Sequence, residues 1–475
     1  MSNTTLRYSL ATALPVVAVL GQWATAAYAQ PEGNALFPTR LLYAPGHFGN
    51  SYEVMGEREM RACLAEAKHW GFNGYADWFD TVDCSDPWAS RHCNLGDALW
   101  DRKKAHFRTA QDLGLRTLLV LTPNHVYLDQ VRPDVEAVKA QRIFGQLVCP
   151  SKPEARAVIL RNYDNLFADL AKAGVRLSGL SACPYDYGGC ACESCKPWIL
   201  TFARLCREIH ALAEKHHPGI EMHFVGWWWS DDEHRLFAEW ADQDAPGWAK
   251  SIALHIPYGE TDVSNVPLPK GCERHAFVHI GYADQAAPRD LYGHLGPVIA
   301  AERLAHTVAA LRAHGCTGVM AYSEGVYEDA NKALLAGLSS GAFATSDEVL
   351  LAYARRYLAP DDATAPRWAA WLRQWGRPYA VDAAEASKAL SDLLATNPNR
   401  SWRLEQWQAK ARLMVLHAAI GDDPEWTPER LAAVEHFWAE QERMQRQVYA
   451  LGPLRHILNR RFSPFPWYKT WAAQQ

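Results

Sequence analysis

The stretch Arg176-Leu-Ser-Gly-Leu-Ser-Ala182, followed by Cys183-Pro-Tyr-Asp-Tyr-Gly-Gly-Cys-Ala-Cys-Glu-Ser-Cys-Lys-Pro-Trp198 and then by Ile199-Leu-Thr-Phe-Ala-Arg-Leu-Cys-Arg-Glu-Ile-His210, sets the reading of the fold. Its first part is a short apolar run bounded by polar residues and its last part repeats apolar residues at helical spacing, so the segment reads as strand, loop and helix. The loop holds a carboxylate (Asp186), two tyrosines, a glycine pair and a Cys-x-Cys-x-x-Cys cluster. A carboxylate on a strand-to-helix loop is where an α/β barrel keeps its chemistry.

The same unit recurs outward from this point. Candidate strands lie at Leu41–Ala44, Asn73–Asp77, Arg116–Leu121, Leu177–Ser181, Glu221–Gly226, Ser251–His255, His275–Ile280 and Thr317–Tyr322. Helical stretches stand between them, clearest at Glu57–Trp70, Trp100–Leu113, Pro153–Ala173 and Pro297–His314, and several close with a glycine, as at Gly71 and Gly315. Eight strands alternating with helices predict an α/β fold, a (β/α)8 TIM barrel. The sixth unit departs from the pattern, because Tyr258–Cys272 carries no helical periodicity.

After residue 340 the rhythm stops and the chain becomes helical and rich in tryptophan. Helices are expected at Ser346–Leu358 with Ser346 as N-cap, and at Ala365–Trp375, Ala383–Leu394, Ser401–Ile420 and Thr427–Leu451. At the other end, Arg7 precedes an apolar run from Tyr8 to Ala27 that closes in Ala27-Tyr28-Ala29, the pattern of a cleaved signal peptide. The expected organisation is therefore a signal peptide over 1–29, a barrel over 30–340 and an all-α C-terminal domain over 341–475. The location that follows is periplasmic or secreted, with no membrane association after cleavage. A net charge of −5 offers no basic footprint for nucleic acid.

The barrel reading gathers polar residues at one mouth. Asp186 lies on the loop after strand four and Glu324 directly after strand eight, across the barrel axis from each other, and they form the candidate catalytic pair. Asp77 and Asp80 follow strand two and Tyr185 flanks Asp186. Trp227 and Trp228 follow strand five, His255 follows strand six, Tyr282 follows strand seven, and Tyr322 ends strand eight. These are the candidate substrate-binding residues. Trp227-Trp-Trp229 offers flat apolar faces of the kind that stack on sugar rings, and strand alternation allows at most two of the three to face the mouth. Asp231-Asp-Glu233 beyond them reads as the acidic first turn of a helix.

Of eleven cysteines, Cys190, Cys192 and Cys195 are too close together to be read separately. With Cys149, on the loop after strand three, they make either a four-thiolate structural zinc site or a set of disulfides, and the strain of a Cys-x-Cys bridge favours zinc. Cys84 and Cys93 suit a bridge in the second loop. Cys63, Cys183, Cys206, Cys272 and Cys316 read as buried small apolar residues.

Cys149-Pro-Ser-Lys-Pro153, followed some forty residues later by Cys-x-Cys-x-x-Cys and an aromatic helix, resembles the zinc-binding loops of the family 42 β-galactosidases, TIM-barrel retaining glycosidases. The resemblance covers about Cys149 to Trp198. That family carries Asn-Glu as acid/base at the end of strand four, where this chain has Tyr185-Asp186. Its nucleophile lies on strand seven, whereas Glu324 falls on strand eight. The helical region after the barrel is similar to that of α-glucuronidases and α-N-acetylglucosaminidases. The combined expectation is a barrel glycosidase outside family 42, acting on the O-glycosidic bonds of a carbohydrate through Asp186 and Glu324, with a structural zinc. The alternative is a carbohydrate-binding barrel without catalysis.

Overall fold

A computed structural model describes residues 35–46, 50–78, 95–256, 261–281, 295–395, 397–421 and 427–449. In chain order the first elements are β1 (Thr39–Tyr43), α1 (Ser51–Val54), α2 (Glu57–Trp70), β2 (Gly74–Trp78), α3 (Leu95–Asp112), β3 (Arg116–Leu121), α4 (Pro153–Lys172) and β4 (Gly179–Ala182). They continue with α5 (Trp198–His216), β5 (Glu221–Gly226), α6 (Asp231–Asp244), β6 (Ala249–Ile256), β7 (Glu273–His279), α7 (Ala301–Ala313), β8 (Gly318–Tyr322) and α8 (Asp329–Ser339). All eight strands are parallel and the sheet closes, β1 pairing with β8 from Thr39 opposite Gly318 to Tyr43 opposite Tyr322. Each expected strand is present. The described residues between β6 and β7, 261–272, hold no helix, as the sequence suggested.

Strand alternation sorts the side chains into two shells. Leu41, Tyr43, Ala76, Trp78, Leu118, Val120, Val225, Ala253, Phe277 and Met320 fill the barrel interior. Leu42, Tyr75, Leu119, Phe224 and Leu254 point outward into the core shared with the helices. Asp77 belongs to this outer set, which corrects its expected place at the sugar site. It is fully buried, pairs with Lys103 Nζ at 2.8 Å, and accepts from the Tyr75 hydroxyl at 3.1 Å and from the backbone N–H groups of Gly46 and Trp78.

The helical region follows as α9 (Ser346–Tyr357), α10 (Ala365–Arg373), α11 (Ala383–Leu394), α12 (Trp402–Ile420) and α13 (Pro428–Arg443). The cap of α9 is Thr345 rather than Ser346. The Thr345 hydroxyl accepts from Glu348 N–H at 3.3 Å while the Glu348 carboxylate reaches back to Thr345 N–H at 3.4 Å, a capping box that shifts the start by one residue. Trp368, Trp375 and Trp407 are fully enclosed here, so much of the chain's tryptophan serves helix packing. Among the described residues no helix is long and apolar enough to cross a membrane; the apolar run 8–27 lies outside them.

The two regions are fastened at Asp329, the first residue of α8. Arg403 of α12 grips its carboxylate with two bonds of 2.6 and 2.9 Å, and the Tyr353 hydroxyl of α9 donates to it at 2.7 Å. Arg403 also lies over the rings of Tyr357 and Trp402, 4.1 and 4.4 Å from their centroids. Removing one partner of a largely buried ion pair strands the other, at a cost of about 3 kcal/mol. Arg403→Ala should therefore lower the urea midpoint of unfolding by an amount equivalent to about 3 kcal/mol.

Candidate active site

The C-terminal ends of the strands enclose a cleft of about 810 Å3, part of it open to solvent. Its floor is the uppermost inward layer of the barrel, Tyr43, Trp78, Val120 and Phe277, and the Tyr322 ring stacks on Phe277 at 5.5 Å. Its walls come from the loops: Tyr185, Asp186 and Tyr187 after β4, Trp227 after β5, His279 at the end of β7 and Glu324 after β8. The two carboxyl groups singled out from the sequence thus line one aromatic cavity.

Asp186 is held by its backbone. Asp186 and Tyr187 both take left-handed conformations, with φ of 59° and 70°, which cost about 1 kcal/mol each for residues with a Cβ. Neighbouring hydrogen bonds hold this turn in place. Asp186 N–H donates to the Arg142 carbonyl at 3.2 Å, and Asn124 bonds both the N–H and the carbonyl of Gly189, at 2.9 and 2.7 Å. Gly189 itself has φ 117°, and a Cβ there would meet Ile143 at 2.6 Å. Burial raises the Asp186 carboxyl to about 6, with the Trp227 indole pulling the other way.

Glu324 is 5 % exposed. Burial raises its carboxyl to about 8; the hydrogen bond from the Tyr322 hydroxyl opposes the rise, and the nearby Glu328 carboxyl adds to it. Among the described residues no cationic side chain acts on either Asp186 or Glu324.

Arg142, which the sequence gave no reason to single out, latches three loops together. Its guanidinium lies 4.0 Å above the Tyr185 ring, donates to the Trp228 carbonyl, and pairs with Glu233 at 2.9 and 3.2 Å. Burial alone would raise the Glu233 carboxyl, but Arg142, the Ser230 N–H and the Tyr185 hydroxyl hold it below its ordinary value. Glu233 also completes a capping box with Ser230, the helix-start role expected for it.

Of the other candidates, Tyr185, Trp227 and Tyr322 line the cleft. Trp228, with φ 60°, turns out of the strand path and lies 39 % exposed, stacked on Trp227 at 6.2 Å. Trp229 packs instead among Phe202, Phe224 and Phe237. His255 sits behind Trp227, ring centroids 4.1 Å apart, with its Nε2 3.3 Å from that of His279. Burial lowers both imidazoles, to about 4 and about 3, so the pair is neutral at pH 7 and one Nε2–H donates to the other ring. Asp80, Tyr282 and the Cys84–Cys93 pair lie outside the described residues. Cys183, expected in the core, is half-buried and lines the cleft beside Asp186, because β4 ends one residue before it. Trp78 and Tyr187 were also missed; Trp78 follows from extending the alternation of β2 by one residue.

Beside the cleft, the sulfurs of Cys149, Cys190, Cys192 and Cys195 all lie within 4.8 Å of one another. Cys149 Sγ is 3.6 Å from Cys192 Sγ and 3.7 Å from Cys195 Sγ, and all nine described cysteines are free thiols. A zinc–sulfur bond of about 2.3 Å sets the edges of a tetrahedron at about 3.8 Å. The donor set and its spacing therefore fit a four-thiolate metal site. The four cysteines bring the β3 loop, with Cys149, against the β4 loop, which carries Asp186.

No protein-family model and no curated protein matches the chain. Among solved structures, the chain is similar to a GH138 enzyme targeting pectin rhamnogalacturonan II, with a TM-score of 0.52 and 10% identity over 88% of this chain. It spans 62% of that enzyme's length. CpGH84D aligns more loosely, with a TM-score of 0.47 and 12% identity over 90% of this chain and 70% of that one. So does a Thermobaculum terrenum O-GlcNAc hydrolase mutant, at 0.44 and 11% over 92% and 97%. At 10% identity the first likeness is one of fold: this chain has an eight-stranded barrel, closed and all-parallel, and aligns with that enzyme over most of its own length.

Proposed function

We propose that this chain is an exported glycoside hydrolase that cleaves O-glycosidic bonds of an oligo- or polysaccharide with Asp186 and Glu324. The observation that carries the reading is the presence of two carboxyl groups, on the loops after strands four and eight, in one aromatic cleft that raises them to different extents. Carboxyls whose environments set their pKa values apart divide acid and base roles between them. At neutral pH Glu324 keeps its proton and is the general acid, donating it to the leaving-group oxygen as the C–O bond breaks. Asp186 is mostly ionised and faces the positive charge that develops on the sugar ring. Water then delivers hydroxide to the anomeric carbon and its remaining proton restores the pair. This division reverses the one that the family 42 pattern implies. Trp227, Trp228, Tyr185 and Tyr322 supply the faces and hydroxyls that hold the sugar.

Zinc in the four-cysteine site would act as a structural ion, since four thiolates leave no coordination position for substrate. Export rests on the apolar run Tyr8–Ala27 and its Ala-Tyr-Ala close, and implies a periplasmic or secreted protein.

A glycan-panel screen of the purified protein should find a substrate, and Glu324→Gln and Asp186→Asn should each lower kcat by about 1,000-fold or more with circular dichroism unchanged. Turnover that survives both changes would sink the assignment. Binding without turnover in the native protein would make it a recognition barrel.

The pH dependence of kcat/KM should be bell-shaped, with limbs near the values of about 6 and about 8 for Asp186 and Glu324. Stability gives an independent readout. A Glu that titrates higher in the folded chain than its unfolded value of about 4.3 contributes stability below that value and loses it as pH rises through the folded one. Glu324→Gln, which cannot ionise, should melt higher than the native protein at about pH 9 and no higher at about pH 5.

Elemental analysis should find one zinc ion per chain, and a strong chelator should lower both the melting temperature and kcat. Metal-free protein with native stability would remove the structural ion from the proposal.

A further inference from the structure

Glu328 is a second carboxylate beyond β8 that the proposed reaction leaves unused. It is fully buried in the 3-10 turn Val326–Glu328 leading into α8. Its Oε2 accepts the backbone N–H of Glu324 at 2.9 Å and also the Ser323 hydroxyl. The Tyr52 hydroxyl lies 2.6 Å from Ser323 Oγ, and both Tyr52 and Lys332 donate to the Gly325 carbonyl, at 3.2 and 2.7 Å. Gly281, just after β7, closes the other side: a Cβ there would fall 2.1 Å from Glu328 Oε1. The carboxylate is thus confined to one place, against the peptide that carries Glu324.

Holding a backbone N–H needs only a neutral acceptor, and burying an acid for that task is costly. An ionisable group in that place therefore calls for an explanation beyond packing. We propose that Glu328 is a positioning residue for Glu324: it fixes the peptide from which the Glu324 carboxyl enters the cleft, and it places a second acid behind that carboxyl. The inference rests on the glycosidase reading above. Among the described residues, the other charged or titratable groups around the two acids are Tyr322 on β8, Tyr52 on α1, Cys63 on α2, Asp329 and Lys332 on α8, and Arg403 on α12. Burial raises Glu328 to about 7, with Lys332 opposing, so the two acids titrate as neighbours.

Glu328→Gln keeps an acceptor for the Glu324 N–H and removes the charge, whereas Glu328→Ala removes both. Turnover on the substrate found by the screen would be measured against pH for both variants, beside Glu324→Gln. Glu328→Gln should keep kcat within about tenfold while its alkaline limb moves to lower pH, because Glu324 then ionises without a neighbouring acid. Glu328→Ala should lose about 100-fold in kcat with little change in KM, the signature of a misplaced reacting group. If the alanine variant fails to fold, the limb of Glu328→Gln decides alone: a shift to lower pH supports the proposal and an unmoved limb overturns it. Losses that fall equally on kcat and KM in both variants would mark Glu328 as packing only, and also overturn it. An active Glu324→Gln variant would remove Glu324 from the reaction and bring down its role as general acid and this inference together. An inactive one beside native-like Glu328 variants would bring down the inference alone.

Discussion

Barrel closure is the constraint on which the rest of this structure depends. When β1 pairs with β8, Tyr43 comes opposite Tyr322 and the two rings settle 5.5 Å apart. That single register brings the last strand beside the first and leaves β4 on the far side of the axis. The floor of the cleft is then the top inward layer of the barrel, a set of large aromatic rings fixed by strand alternation. The loops have only to add polar groups above a surface that already exists.

That surface also governs the electrostatics. Asp77 and Asp186 are the same type of residue, one within β2 and the other on the loop after β4, yet they live in different circumstances. Asp77 points outward and meets an ammonium group, a phenol and two peptide N–H groups. Asp186 is aimed into the cavity by a left-handed backbone, with an indole as its main polar neighbour. The barrel stabilises one carboxylate for structure and leaves the other under-solvated, which is the state in which a carboxyl changes protonation near neutral pH. Tyrosine, arginine and cysteine contacts to the β3 and β4 loops keep that second arrangement from relaxing.

Local patterning made all eight strands legible, because each is a short apolar run whose period and flanking glycines are written in consecutive residues. Asp186 and Glu324 followed from the positions of strand ends, and the cysteine cluster from the close spacing of three cysteines together with the barrel position of Cys149. What stayed hidden depends on contacts between distant segments. Arg142 lies in an irregular loop and matters only because that loop folds onto the two that follow. Glu328 reads like any acid at a helix start. The sequence Ala330–Ser339 has no polar face, since α8 is enclosed on all sides, so its helical period is invisible. Asp77 was misplaced because one step along a strand exchanges the cavity for the outer shell.

The Asp329–Arg403 clasp bears on how such a protein can change over evolutionary time. A texture break at residue 340 invites the thought that barrel and helices are separable modules, free to be shuffled at that joint. Yet the acid being clasped sits one residue from Glu328 and five from Glu324, while its partner lies more than seventy residues away in α12. Recombination at the break would leave a barrel with an unpaired buried acid at the root of its strand-eight loop. The helical half is in this sense part of the barrel's own wall, and the two are constrained to be inherited as one unit.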